Sequence, residues 1–336
     1  MKICHVVTND MLNDPRVDKI ATALSSKYEV VVLGLGGHRS TDFSDKNYSV
    51  VIAKRNNYRV SEAGKQKIRK SLVGKKSIIR QLVRDFVNYS LRKNNSRVMY
   101  KELRNIDADI YVANDLDTLP FVAKVAKAKN AKLIYDSHEY YTDSGVVTTT
   151  PFKTLFKLEE LRYIKKADAV MTVNTTIAEL LQKEYKLQKT PYTIYNIPNY
   201  KTNAKYPHTN NNIIKVVFSG ILSPGRGLDE YILSAKHLPE NITLNLQGYG
   251  PREEELKTIV RENNLENKVF FIEAVPMNEI TASLNRYDIG IVPYQPIHTC
   301  NKLCSPNKLF EYTHANLAVV GSDLPELRRF ITLYEL

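Results

Sequence analysis

Short, nearly unbroken apolar runs alternate along this chain with longer segments whose apolar residues recur every three or four positions. The runs at 2–7, 29–33, 49–53, 109–113, 132–136, 169–173 and 193–196 have strand length. Helical spacing marks 15–26, 75–104, 117–129, 152–166 and 175–186. Strands that take turns with helices predict a doubly wound parallel α/β sheet, buried on both faces. Residues 197–212 are polar, carry prolines and show no period, so they read as a linker. A second alternating set follows, with strands at 215–219, 242–247, 268–272, 289–293 and 318–322. The pattern predicts two α/β domains, 1–196 and 213–336.

Candidate chemistry sits where strands give way to loops. Ser305-Pro306-Asn307-Lys308-Leu309-Phe310-Glu311 reads as a helix start, with Ser305 as N-cap and Pro306 at the first helical position. Free N–H groups and the positive dipole end make such a start a phosphate seat. Lys308 adds a cation on the first turn, and Glu311, one turn beyond Asn307, can accept hydrogen bonds from a sugar diol. A second phosphate candidate follows the strand Val216 to Gly220. Its loop carries Gly220, Gly225, Arg226 and Gly227, and a helix begins near Leu228. Strand, glycine loop and helix are the usual layout of a nucleotide site in an open α/β sheet. Arginine suits a diphosphate because its fork bonds two oxygens at once.

Other strings stand in register with these. Gly248-Tyr249-Gly250-Pro251 follows a strand. In the first half, Asn13-Asp14-Pro15-Arg16-Val17, Asn114-Asp115-Leu116-Asp117-Thr118-Leu119 and Tyr135-Asp136-Ser137-His138-Glu139 each follow or end one. In this order the strings resemble those of family 4 retaining glycosyltransferases of GT-B architecture, over nearly the whole chain. The resemblance implies two Rossmann-like domains facing a cleft: an acceptor-side domain and a nucleotide-sugar-binding domain. It also implies a further strand and helices after 318–322, so the second domain reads as incomplete.

Roles follow from that resemblance. Arg226 binds the donor diphosphate and stabilises the leaving group; on spacing alone it is equally a surface arginine. Glu311 binds ribose hydroxyls, or else is a solvated helix charge. His138, with Glu139 beside it, lies by the donor sugar and the acceptor hydroxyl and orients that hydroxyl or relays its proton; the plain alternative is a hydrogen-bonded strand-end histidine. Asn114 and Asp115 contact acceptor, and Arg16 reaches either the cleft or a local carboxylate. Gly248 and Gly250 turn the chain near the nucleotide, and Val275 to Met277 lie by its base. Three departures stand out. Ile221 replaces an arginine common after Gly220, Leu303 replaces a frequent glutamate, and Asn316 and Ala318 replace a usual glycine and proline. No nucleophile is evident, so the resemblance implies front-face transfer with retention. It implies no required metal and no other cofactor: Asp115-Leu116-Asp117 matches a metal motif of another glycosyltransferase fold by too few residues, and Gly34 to Gly37 lacks the dinucleotide spacing.

Composition adds one decisive feature. Residues 54–104 hold 16 Lys and Arg against Glu62, Asp85 and Glu102, an excess that alone exceeds the +12 of the whole chain. Charge this localised points to a partner surface. Within it, Ile78, Ile79, Leu82, Val83 and Phe86 have helical spacing, and Lys76, Arg80 and Arg84 fall four apart. The apolar side is expected to pack and the basic side to meet an anionic membrane or a polyanionic acceptor. No nucleic-acid module accompanies the charge. Three cysteines, Cys4, Cys300 and Cys304, fit a reducing compartment, and with His298 they are too loosely spaced for a zinc site. No run approaches membrane-span length. The expectation is a cytoplasmic, membrane-peripheral enzyme of surface polysaccharide synthesis, binding a nucleotide-sugar and a glycan or lipid-linked acceptor. A non-catalytic partner subunit is the runner-up reading, and a nucleotide-sugar epimerase the third.

Overall fold

The computed structural model describes residues 1–8, 15–36, 43–54, 77–145, 148–198, 212–276 and 279–334. Of the sequence calls, Asn13, Asp14, Gly37, Lys75, Lys76, Met277 and most of the linker lie outside these residues. Contacts divide the chain into Met1–Ile194 and Tyr195–Leu336.

The first unit carries seven parallel strands in the order β3-β2-β1-β4-β5-β6-β7. They are β1 Lys2–Val6, β2 Glu29–Gly36, β3 Ser49–Lys54, β4 Ile110–Asn114, β5 Lys132–Ser137, β6 Ala169–Thr172 and β7 Tyr192–Thr193. Helices α1 Pro15–Ser25, α2 Ser77–Leu103, α3 Asp115–Ala128, α4 Thr150–Ile164 and α5 Thr175–Tyr185 connect them. The chain winds one way from β1 to β3 and the other way from β4 onward. The change falls between β1 and β4, and ligands of such sheets bind outside the carboxyl ends of strands at that point.

The second unit repeats the plan with β8 Ile214–Ser219, β9 Ile242–Gln247, β10 Val269–Ile272, β11 Ile289–Val292 and β12 Ala318–Gly321, ordered β10-β9-β8-β11-β12. Its helices are α6 Leu228–Ser234, α7 Glu253–Glu262, α8 Ile280–Leu284, α9 Thr299–Leu303, α10 Asn307–His314 and α11 Pro325–Tyr334. Here the winding changes between β8 and β11. Tyr195 belongs to this unit, edge-on to Phe310 and Phe330 with ring centroids 5.9 and 5.2 Å away. The run predicted as a strand over 193–196 therefore has its strand at Tyr192–Thr193, because Tyr195 packs into the next core.

Helix α2 corrects one expectation. Its predicted apolar side is not the fully buried one: Ile78, Ile79 and Phe86 are exposed and Leu82 and Val83 half-buried, while Asp85, Arg92, Met99 and Leu103 are buried. Polar anchoring explains the reversal. Asp85 Oδ2 accepts the Thr148 and Thr149 N–H groups and the Thr149 hydroxyl at 3.0, 2.8 and 2.7 Å, capping α4 from a neighbouring helix. Arg92 donates to Asp117, Glu159 and the Leu116 carbonyl. Satisfying these buried charges fixes which side of α2 faces inward.

Candidate functional site

In the second unit, Gly220 follows β8 with φ 138°, a conformation that side chains resist. The loop after it runs against the turn at 248–252. Gly220 N–H donates to Gln247 O at 2.9 Å, Leu222 N–H to Tyr249 O at 2.9 Å and Arg252 N–H to Leu222 O at 3.2 Å. A Cβ on Gly248 would strike the Gly220 carbonyl, and one on Gly250 the Leu222 backbone. Gly248 and Gly250 thus serve the close approach of two backbones, which in turn fixes where the Arg226 loop lies.

Helix α10 begins one residue later than the sequence suggests. Pro306, at φ −64° and ψ 136°, occupies the cap position instead of Ser305, and Asn307 is the first helical residue. Proline has no side-chain acceptor, so the cap residue itself makes no side-chain bond to the first N–H groups. Tyr312 anchors the helix: its ring fills the space left by Gly290, and its hydroxyl accepts the Ser219 N–H at 2.9 Å.

This anchoring brings Lys308 over the end of β8. Its ammonium lies where a side chain on residue 220 would go, 4.9 Å from the Phe218 ring and 5.7 Å from the Tyr294 ring. The Arg226 guanidinium stacks on the same Tyr294 ring at 4.0 Å. Among the described residues neither cation forms a hydrogen bond or ion pair. Burial and the nearby Arg226 charge lower the Lys308 pKa to about 8, against the pull of Glu311. Glu311 is half-buried one turn along α10. Ser305 is half-buried, Asn307 is exposed, and Val275 is half-buried in the segment after β10.

The first unit builds a different cluster at the ends of β4 and β5. Buried Asp136 takes the Arg16 fork: Nη2 to Oδ1 at 2.7 Å and Nε to Oδ2 at 3.3 Å. The remaining Arg16 Nη1 donates to the Ile194 carbonyl at 2.7 Å. Of the two sequence readings for Arg16, the local carboxylate is the one observed. His138 lies between two acids, with Nδ1 3.3 Å from Asp115 Oδ2 and Nε2 3.5 Å from Asp136 Oδ2. Asp115 starts α3 with φ 62°, a strained position for a residue with a side chain. That turn aims its carboxylate at β5, where Oδ1 accepts the His138 N–H at 2.9 Å.

Burial alone would favour neutral forms of all three side chains. For His138 the two carboxylates win and raise its pKa to about 9. For Asp136 the His138 and Arg16 charges win, and its pKa falls far below the usual carboxylate range. For Asp115 burial wins, helped by the Glu139 charge, and its pKa rises to about 7. Buried Asn114 donates from Nδ2 to the Val6 carbonyl at 3.0 Å, tying β4 to β1.

Sequence-predicted Gly220, Arg226 and Lys308 therefore meet in one place on the second unit. Arg16, Asp115 and His138 meet in another on the first. Two residues were missed. Asp136, a charge inside the apolar string Leu133 to Ser137, carries no role in the sequence reading. Tyr294, two residues after the β11 end, has no local signal at all.

Comparison with known proteins bears on the fold. Residues 201–335 match the family model described as glycosyl transferases group 1. No curated protein sequence matches the chain. Among solved structures, sucrose-phosphate synthase from Thermosynechococcus elongatus superposes with a TM-score of 0.67 at 12% identity, covering 98% of this chain and 83% of that one. Anabaena Alr3699/HepE, in complex with UDP and glucose, gives 0.64 at 15% identity, with 98% and 83% covered. The lipopolysaccharide outer core galactosyltransferase WaaB gives 0.61 at 12%, with 96% and 81% covered. At such identities the shared property is the fold, and the fold is GT-B.

Proposed function

We propose that this chain is a retaining glycosyltransferase of the family 4 type, moving a hexose from a nucleoside-diphosphate donor to a glycan or lipid-linked acceptor in surface polysaccharide synthesis. The observation that carries this reading is the pair Arg226 and Lys308. Two cations rest on one tyrosine ring, beside a glycine that leaves room and a helix start that offers free N–H groups. A diphosphate supplies the four things this arrangement lacks: negative charge, several acceptors, bidentate shape and a small footprint. The family match over the same residues, and UDP in HepE, support the choice of ligand.

Arg226 and Lys308 hold the diphosphate and stabilise the charge that grows on it as the sugar departs. Glu311 accepts hydrogen bonds from ribose hydroxyls, and the backbone near Val275 lies by the base. On the first unit, Asp115 is the better proton acceptor because its pKa of about 7 suits that task. His138, charged below about pH 9 with both ring nitrogens facing acids, orients Asp115 rather than relaying protons. Asp115, His138 and Glu139 line the acceptor side, and buried Asn114 supports them from the end of β4. No metal is required for the diphosphate, whose charge the two cations meet. The basic stretch 54–104 holds the enzyme on the anionic inner face of a membrane, where a lipid-linked acceptor would be.

A thermal-shift screen against nucleoside diphosphates and their sugars tests the proposal. Selective stabilisation by one nucleotide, lost in Arg226→Ala, is the expected result. Absence of stabilisation by any of them would reject the enzyme in favour of a non-catalytic partner subunit. Inversion at the anomeric carbon, read by proton NMR of the product, would reject retention.

A further inference from the structure

The outer face of α2 and α4 carries a second observation. The two helices lie side by side: Tyr89 packs 6.0 Å from both Phe152 and Phe156, and Lys93 pairs with Glu159 at 2.6 Å. Helix α3 packs against both from beneath. On the side away from α3, large apolar side chains face solvent. On α2, Ile79 and Phe86 stand seven residues apart, hence on one side, and Phe86 is 61% exposed. On α4, Leu155, Leu158 and Leu161 recur every third residue, and Leu158 is 58% exposed. Helical spacing from the contact residues puts Phe86 and Leu155 on the same outer surface.

Charge completes the picture. The exposed residues of α4 are Thr150, Pro151, Thr154, Leu155, Lys157, Leu158, Leu161 and Arg162, with no acid among them. Those of α2 include Arg80, Arg84, Arg97 and Lys101 against Glu102 alone. Apart from Glu102 near the end of α2, the acids these helices carry face inward or are paired. Asp85 and Glu160 are buried, and Glu159 is paired with Arg92 and Lys93. No helix among the described residues is long and apolar enough to cross a membrane.

We infer that α2 and α4 together form one membrane-docking face, inserting Ile79, Phe86, Leu155 and Leu158 among the acyl chains of an anionic lipid surface while the fringe of cations meets the headgroups. The inference rests on the membrane reading above and deepens it. Docking is by apolar insertion from two helices, not by the charge of residues 54–104 alone. Lipid is the occupant that fits both properties, since an interfacial helix needs apolar and cationic groups side by side. A second copy would set like charges against each other, and a nucleic acid would leave the leucines unused.

Flotation of the full chain with vesicles tests this, using phosphatidylcholine alone and phosphatidylcholine doped with phosphatidylglycerol. Three variants are compared: Ile79→Ser with Phe86→Ser, Leu155→Ser with Leu158→Ser, and all four together. These side chains are exposed, so unchanged circular dichroism and nucleotide-induced thermal shift certify the fold. The wild type should float with the anionic vesicles and stay behind with the neutral ones. Each pair should lower partition by roughly tenfold, as lost apolar burial dictates, and the four together should abolish it. A wild type that ignores anionic vesicles would sink the membrane reading itself. Binding by the wild type that neither pair weakens would make the attachment electrostatic and overturn the inference. Loss in the α2 pair alone would remove α4 from the face. A wild-type dimer in sedimentation that the variants turn into monomer would assign the face to a second copy.

Discussion

The two units place their cations in opposite company. On the first, Arg16 is matched by Asp136, and His138 by Asp136 and Asp115, within 3.5 Å. On the second, Arg226 and Lys308 share an aromatic ring and meet no carboxylate at bonding distance among the described residues. A charge neutralised by its own protein is held in place; a charge left on an aromatic face keeps its field for something that arrives. The same residue type is therefore a fixture in one unit and a receptor in the other.

Breaking the matched set should have the largest effect. Asp136→Leu leaves the buried Arg16 charge without its carboxylate and His138 with Asp115 alone, and removing one partner of a buried pair costs about 3–5 kcal/mol. Chemical denaturation should show that loss, with nucleotide affinity of the surviving folded fraction unchanged. The unmatched set should behave the other way. Arg226→Ala should leave the unfolding midpoint nearly fixed, because no protein partner is orphaned. Its nucleoside-diphosphate affinity should fall by about 1.5–3 kcal/mol, the worth of a bond to a charged group. Calorimetric titration reads that directly, and equal stability losses in the two variants would erase the contrast.

Much of the fold was legible because a parallel sheet buried on both faces writes its strands as apolar runs. Each predicted run overlaps an observed strand, β7 by Thr193 alone, and β9 has the predicted ends. The site was legible only where it obeyed local rules. Arg226 stood out between Gly225 and Gly227, and Lys308 on the first turn of a proline-led helix. Three features were hidden because they depend on partners distant in sequence. The buried side of α2 follows from Asp85 capping a helix 64 residues away. Asp136 gains its role from Arg16, 120 residues back. Tyr294 is a platform only because a loop and a helix start rest their cations on it. Pro306 was misplaced by one residue because the same Ser-Pro pair suits either cap register.

The pH responses of the two sites should differ as well. Lys308 must be protonated to hold a phosphate, and its pKa of about 8 in the free protein lies below that of an ordinary lysine. Affinity for a nucleoside diphosphate should decline as pH rises through about 8, and Lys308→Met should remove that step and leave a flat, weaker profile. In the first unit, the His138 pKa is raised to about 9. The stability its charge contributes is complete below the unfolded value, near 6.5, and is lost as pH rises through about 9. His138→Gln should flatten that alkaline decline in melting temperature without touching the Lys308 step. A single shared midpoint for both profiles would mean that the two sites titrate as one.

The smallest effect should come from the ring beneath the unmatched cations. A cation over an aromatic face gains about 0.5 kcal/mol when exposed and about 2 when desolvated. Tyr294 is buried, so its hydroxyl is of little use to Arg226, while its ring faces the guanidinium at 4.0 Å. Tyr294→Phe should therefore bind a nucleoside diphosphate almost as the wild type does. Tyr294→Leu keeps an apolar side chain but has no π face, so Arg226 and Lys308 lose the support that holds them without cancelling their charge. Its affinity should fall severalfold, with the midpoint of the Lys308 pH step shifted. Phe and Leu variants that weaken binding alike would assign the loss to packing volume and reduce the ring to core.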